Sequence, residues 1–235
     1  MLVSHNPNTS TEELFTRAIC FALAKSRGRG HLPKFQALYE EVRTPYGIAD
    51  LVGVSCPKWR KAAPGFLNLC AGLPRGPVAE LLAELAIGPR RKATLLGGSR
   101  TRFSTAVVEA ALRGLNARRI VSERDGTFHL SPRIKLPDAR LYAFEVKLYD
   151  WRRAAFQALQ ANAYASKSLC IFPAERLGVL RKNKSFFADL GIGVLLFDPE
   201  NERFVELVRG KLHSPHHNPH AIDVMLRLAA EVRSA

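Results

Sequence analysis

The chain has 235 residues, 47% apolar and 24% charged, which is enough to fill one or two cores and argues against a disordered polymer. Lys and Arg outnumber Asp and Glu by 35 to 21, for a formal charge of +14, and such an excess points to a polyanionic partner, nucleic acid ahead of an acidic membrane surface. No run approaches the roughly 18 apolar residues that span a bilayer, the start of the chain lacks a secretory pattern, and four cysteines at 20, 56, 70 and 170 without CxxC spacing exclude a disulfide framework or structural zinc site and leave a reducing cytoplasm as the expected compartment.

Residues 10–26 predict a helix with Leu14, Ala18, Phe21 and Ala22 on one face, opened by a Ser10/Glu13 capping box. Two strand-like runs, 34–42 and 48–55, flank the turn Pro45-Tyr46-Gly47 and read as a hairpin. Residues 57–74 read as irregular. From Pro77 the period is helical. Val78, Leu81, Leu82 and Leu85 share a face before Gly88-Pro89, a basic Arg90-Arg91-Lys92 leads a second short helix ending at Gly97-Gly98, and Ser104 precedes a third through Val108, Ala111, Leu112 and Leu115. A hairpin with an Asp125-Gly126 turn follows. Three short helices and a hairpin form the pattern of a winged helix-turn-helix. Beyond Pro137 the elements are a strand over 141–148, a helix from Asp150 through Lys167, a strand over 168–172, a short helix near 174–182, strands over 193–197 and 204–208, and a last helix near 221–232.

The chemistry concentrates in two fragments, Gly47-Ile48-Ala49-Asp50 and Glu145-Val146-Lys147. Residues i and i+2 of a strand share a face, so Glu145 and Lys147 project side by side. Charges within a buried apolar run are costly unless paired or bound to metal. Asp50, on a neighbouring hairpin strand, supplies a second carboxylate. Two carboxylates and a backbone carbonyl, that of Val146, suit a hard divalent cation such as Mg2+, with Mn2+ able to substitute. A lysine beside them can position a water and stabilise charge on a phosphodiester under attack.

Asp50, then Glu145-x-Lys147, then a helix carrying Gln157 and Tyr164 followed by a strand, resembles the PD-(D/E)XK nuclease superfamily. The likeness covers roughly residues 10–56 and 138–208. It implies a restriction endonuclease-like fold, a mixed central sheet flanked by helices. It also implies Asp50 and Glu145 as metal ligands, Lys147 as the catalytic lysine and Gln157 as an organiser of the site, with Gln160 competing for that role. Ala49-Asp50 stands where the pattern usually has Pro-Asp, and the 95 residues from Asp50 to Glu145 exceed the usual gap. A first-helix acid contacts metal in some such nucleases, which makes Glu13 a supporting candidate beside its capping role. Of the adjacent Glu40 and Glu41 only one can face the site, and Glu41 is carried as supporting, with Tyr164.

The expected division is a discontinuous nuclease-like core over 1–74 and 138–210, an inserted winged-helix domain over 75–137, and a histidine-containing loop with a final helix over 211–235. Residues 77–137 hold 11 Lys and Arg against 5 Asp and Glu, a charge of +6. Arg90, Arg91, Lys92, Arg100, Arg102, Arg118, Arg119 and Arg124 are the candidate phosphate contacts. The histidines at 213, 216, 217 and 220 lack ligand spacing, and the cysteines read as buried residues rather than nucleophiles. The expectation is a Mg2+-dependent DNA endonuclease with no membrane association and a homodimer left open. The rival is a nuclease fold that binds DNA, or regulates, without cutting.

Overall fold

The computed structural model describes residues 10–26, 32–97, 102–213 and 218–234. Two units emerge, one from residues 1–55 and 140–213, the other from 56–139 and 214–235. The protein is mixed α/β, with a six-stranded mixed sheet flanked by helices. Among the described residues no helix is long and apolar enough to cross a membrane.

The first unit is built on that sheet. In chain order it comprises α1 (Thr11–Lys25), β1 (Ala37–Thr44), β2 (Gly47–Ser55), β6 (Arg140–Val146), α6 (Trp151–Ala161), β7 (Lys167–Pro173), α7 (Leu177–Lys182), α8 (Lys184–Asp189), β8 (Gly193–Asp198) and β9 (Arg203–Val208). The strand order is β1-β2-β6-β7-β8-β9. β6, β7 and β8 run parallel, and β1, β2 and β9 pair antiparallel at the two sides. Burial on both faces explains why β6 through β8 are almost continuously apolar. On one face Phe15, Ile19 and Leu23 of α1 pack with Phe144, Val146, Ile171 and Phe197. On the other, Ala154, Ala155 and Ala158 of α6 and Phe187 of α8 pack with Cys170, Phe172 and Leu196.

Several local expectations change here. The buried stripe of α1 is Phe15, Ile19, Ala22 and Leu23, whereas Leu14 and Phe21 are 41% and 55% exposed. The face is rotated by about one residue from the expected one, because a helix with apolar residues on several sides takes its orientation from the sheet it meets. The helix after Asp150 ends at Ala161, not at 167, and α8 was not anticipated.

The second unit holds α2 (Trp59–Cys70), α3 (Arg75–Ile87), β3 (Arg90–Arg91), α4 (Lys92–Gly97), α5 (Thr105–Ala117), β4 (Val121–Arg124), β5 (Thr127–Leu130) and α9 (Pro219–Ser234). The stretch expected to be irregular, 57–74, is therefore helical. Pro64 lies inside α2 and removes one hydrogen bond, but Trp59, Ala63, Phe66 and Cys70 bury a helical stripe that outweighs it. α3 is buried almost all round, with α5 and α9 against it. The boundary thus differs from the expected division. Residues 56–74 and 218–234 group with the middle segment, because α2, α3 and α9 share a core that the separate stretches could not bury alone. β3, β5 and β4 form an antiparallel sheet with β5 central. Asp125 and Gly126 turn the β4–β5 hairpin with φ of 49° and 70°, the paired positive values of a type I′ turn.

Candidate active site

β2 and β6 place the two carboxylates. Leu51 stands opposite Phe144, and one further step of that antiparallel register sets Asp50 against Glu145. Asp50 Oδ2 accepts the Val146 backbone N–H at 2.7 Å, fixing the carboxylate across the strands. The same oxygen accepts Lys147 Nζ at 3.0 Å. The ammonium also donates to the Val146 carbonyl at 2.8 Å and to Glu12 Oε1 at 3.1 Å. Its three hydrogens are thereby used, and Glu145 Oε2 lies 3.7 Å away in an ion pair, buried and without a hydrogen bond.

This arrangement sets the charge states. Burial first, then the Asp50 carboxylate, push Glu145 up to about 8, against the pull of Lys147. Burial also works against the Lys147 charge, but Asp50, Glu12 and Glu145 outweigh it and hold the ammonium above its ordinary range. Lys147 is therefore a cation at neutral pH, and Glu145 takes up a proton far more readily than a surface carboxyl.

The helix α6 forms the opposite wall. Asp150 caps it by accepting the Arg153 N–H at 3.0 Å, and its alanine face lets the helix lie close to the sheet. Gln157, Gln160 and Tyr164 then meet Glu145 and the hairpin residues 44 and 46–49 around a cavity of about 40 Å³, large enough for water. Gln157 Oε1 is buried there without a hydrogen-bond partner. The Tyr164 phenol is driven upward by burial and then by Glu145, so it stays neutral. Both glutamines line this space, so the structure does not prefer Gln157 over Gln160 by position.

Asp50, Glu145, Val146, Lys147, Gln157 and Tyr164 are thus neighbours. The other two supporting candidates stand elsewhere. Glu13 turns outward, paired with Arg17 at 2.6 Å, while its N–H donates to Ser10 Oγ at 3.1 Å as the N-cap requires. Glu41 is exposed in left-handed backbone, φ 50°, and makes no ion pair with these groups. The acid that reaches Lys147 is Glu12. The signal for it was the true stripe of α1, since Glu12 precedes Phe15 by three positions and Ile19 by seven.

A divalent cation is compatible with these residues. Among the described residues no three His, Cys, Asp or Glu side chains form a ready-made ligand cluster. The donor set is instead Asp50, Glu145 and the Val146 carbonyl, all within 3.7 Å of the Lys147 ammonium. Oxygen donors of this kind suit a hard cation, and the buried, unbonded Glu145 Oε2 is a polar atom such a cation would satisfy.

The candidate phosphate contacts of the second unit divide sharply. Arg90 pairs with Glu84 at 3.2 Å, Lys92 with Glu109 at 3.3 Å and Arg102 with Glu80 at 3.5 Å. Arg118 donates to the Leu69 carbonyl at 3.2 Å. These four are committed to internal partners. Arg100 lies outside the described residues. Arg91, Arg119 and Arg124 are exposed and make no ion pair among the described residues. Arg91 and Arg124 both register on Thr127 from either side, so they share one face of the small sheet beside the Asp125-Gly126 turn.

Of the remaining sequence features, His213 donates its N–H to the Ser166 carbonyl at 2.8 Å, His220 stands on α9 beside Arg102, and residues 216 and 217 lie outside the described residues. Burial raises the Cys20 and Cys70 thiols to about 11, which keeps them neutral. No protein-family model matches the chain, and no curated protein matches it.

Proposed function

We propose that this protein is a divalent-metal-dependent DNA endonuclease, with a restriction endonuclease-like core of the PD-(D/E)XK kind and a winged helix-turn-helix unit that holds DNA. The observation that carries the reading is the convergence of Asp50, Glu145 and the Val146 carbonyl on the Lys147 ammonium at the end of β6. Asp50, Glu145 and the Val146 carbonyl would hold Mg2+, or Mn2+ in its place. The bound cation supplies Lewis-acid polarisation of a phosphoryl oxygen. Lys147 holds a permanent positive charge where negative charge grows on the phosphate during attack. To orient a water for the attack, one of its three hydrogens exchanges its present acceptor (Asp50, Glu12 or the Val146 carbonyl) for that water, while the other two keep the ammonium in place. Gln157 and Gln160 present amides to the cavity beside Glu145 and can hold water there. In the second unit Arg91, Arg119 and Arg124 are the cations best placed for phosphates, since they are not spent on internal pairs.

Incubation of the purified chain with plasmid, single-stranded and branched DNA, in Mg2+ or Mn2+ and in EDTA, tests this. Metal-dependent cleavage that is lost in both Glu145→Ala and Lys147→Ala supports the enzyme. DNA binding with no cleavage under any condition leaves a nuclease fold that binds DNA without cutting it.

A further inference from the structure

Beside Lys147 the surface changes character. Tyr149, two residues further on, is 69% exposed, more than any other large apolar or aromatic side chain among the described residues. The Arg176 guanidinium lies 5.2 Å from its ring centroid, so one face of the ring is covered and the other faces solvent. Trp151 carries the Arg152 guanidinium 4.6 Å from its ring centroid. It is held by edge and tilted contacts with Phe186 and Phe187 at 5.6 and 5.9 Å, and Phe187 is fully buried. One turn beyond Arg152, on the same side of α6, Phe156 is 61% exposed.

We propose that this surface is a stacking platform for unpaired DNA bases, and that the substrate carries an unpaired strand next to the phosphodiester to be cut. The inference rests on the nuclease reading and deepens it. The exposed rings of Tyr149 and Phe156 offer flat apolar area, and Arg176 over Tyr149 and Arg152 over the partly buried Trp151 add positive charge beside them. A nucleic acid with splayed bases matches both, with phosphates for the arginines and base faces for the rings. A closed duplex matches only the charge, because its base faces are buried against one another. Tyr149 sits two residues from the lysine assigned to the scissile phosphate, so a base held there lies within a nucleotide or two of the chemistry.

The test is binding by the full chain in EDTA, read by anisotropy of three fluorescein-labelled probes. These are an oligothymidine of about 20 nucleotides, an abasic oligomer with the same phosphate count, and a blunt duplex of equal length. Tyr149→Ala should weaken oligothymidine binding roughly 5- to 150-fold, the range expected for one stacked base, and change duplex binding less than about twofold. Tyr149→Phe, which keeps the ring, should bind as the parent does. The abasic oligomer should bind the parent weakly and ignore the substitution. Equal losses on single strand and duplex, or no loss on oligothymidine, overturn the platform. Because no metal is present, the two readings fail separately. Tyr149-dependent binding in a chain that cuts nothing removes the nuclease and keeps the platform. Metal-dependent cleavage with oligothymidine affinity indifferent to Tyr149→Ala removes the platform alone.

Discussion

Glu12 and Lys147 meet at 3.1 Å although 135 positions separate them. The contact follows from how α1 lies on the sheet. Phe15, Ile19 and Leu23 are buried, and Glu12 stands at the head of that stripe, over the end of β6. Its neighbour Glu13 points away and pairs with Arg17. Two adjacent, chemically identical residues therefore have different roles.

The first prediction separates them. Glu12→Gln removes a charged partner that fixes the Lys147 ammonium and should lower the cleavage rate about tenfold or more. Glu13→Gln should leave it within about twofold. Single-turnover rates on one DNA substrate decide it, and equal rates for the two variants would show that the Glu12 contact is not used. The melting temperature should change little for Glu13→Gln, because an exposed ion pair contributes about 0–1 kcal/mol, and more for Glu12→Gln, whose partner Lys147 is largely buried.

A second prediction concerns pH. Glu145 is raised from an ordinary 4.5 to about 8, so the folded chain binds this proton more tightly than the unfolded chain does. Its contribution to stability is fully present below 4.5 and is lost as pH rises through 8. In EDTA, Glu145→Gln should therefore flatten the decline in stability between those values. The variant should gain stability over the parent at pH 8.5 and not at pH 4.5. Denaturant unfolding across this range measures the effect, and parallel curves for the two proteins would exclude it.

Asp50 gives a third test, because it is both a bridge between strands and a candidate metal ligand. Asp50→Ala leaves the Val146 N–H without its acceptor, at about 1–3 kcal/mol, and frees one hydrogen of Lys147. Asp50→Asn keeps an oxygen for the Val146 N–H and should cost less. Both should be inactive in Mg2+, since an amide oxygen is a weak substitute for a carboxylate in holding a hard cation. A stable, inactive Asp50→Asn beside a destabilised, inactive Asp50→Ala is the expected pattern, read from melting curves and cleavage together.

The fourth prediction uses salt to locate the phosphate contacts of the second unit. Each neutralised phosphate contributes about 0.9 to the slope of log affinity against log salt for duplex DNA. Replacing Arg91, Arg119 and Arg124 together by Gln should make the slope shallower by up to about 2.7. Replacing Arg90 and Arg102 should leave the slope nearly unchanged, because Glu84 and Glu80 already hold them. The reverse outcome would assign the contacts to the paired arginines.

The sequence by itself determined what short-range chemistry controls. The Ser10/Glu13 cap, the Asp125-Gly126 turn with both residues at positive φ, the hairpin of β1 and β2, and the strands beyond Pro137 could be read because each depends on a few neighbouring residues. The juxtaposition of Asp50, Glu145 and Lys147 was also foreseeable, since alternation along a strand and a hairpin register carry side chains to known faces. What only the tertiary structure decided depends on partners far away in the chain. α2 was obscured by Pro64 and exists because Trp59, Ala63, Phe66 and Cys70 find a core to bury in. The final helix joins the second unit because α2 and α3 offer it that core. Half of the basic cluster was shown to be internally held only when Glu80, Glu84 and Glu109 came into reach of Arg102, Arg90 and Lys92, and the Leu69 carbonyl into reach of Arg118. Glu12 was hidden behind Glu13 by a rotation of α1 of about one residue. Helical periodicity permits several faces for that helix, and packing against the sheet selects the one that buries the most apolar area.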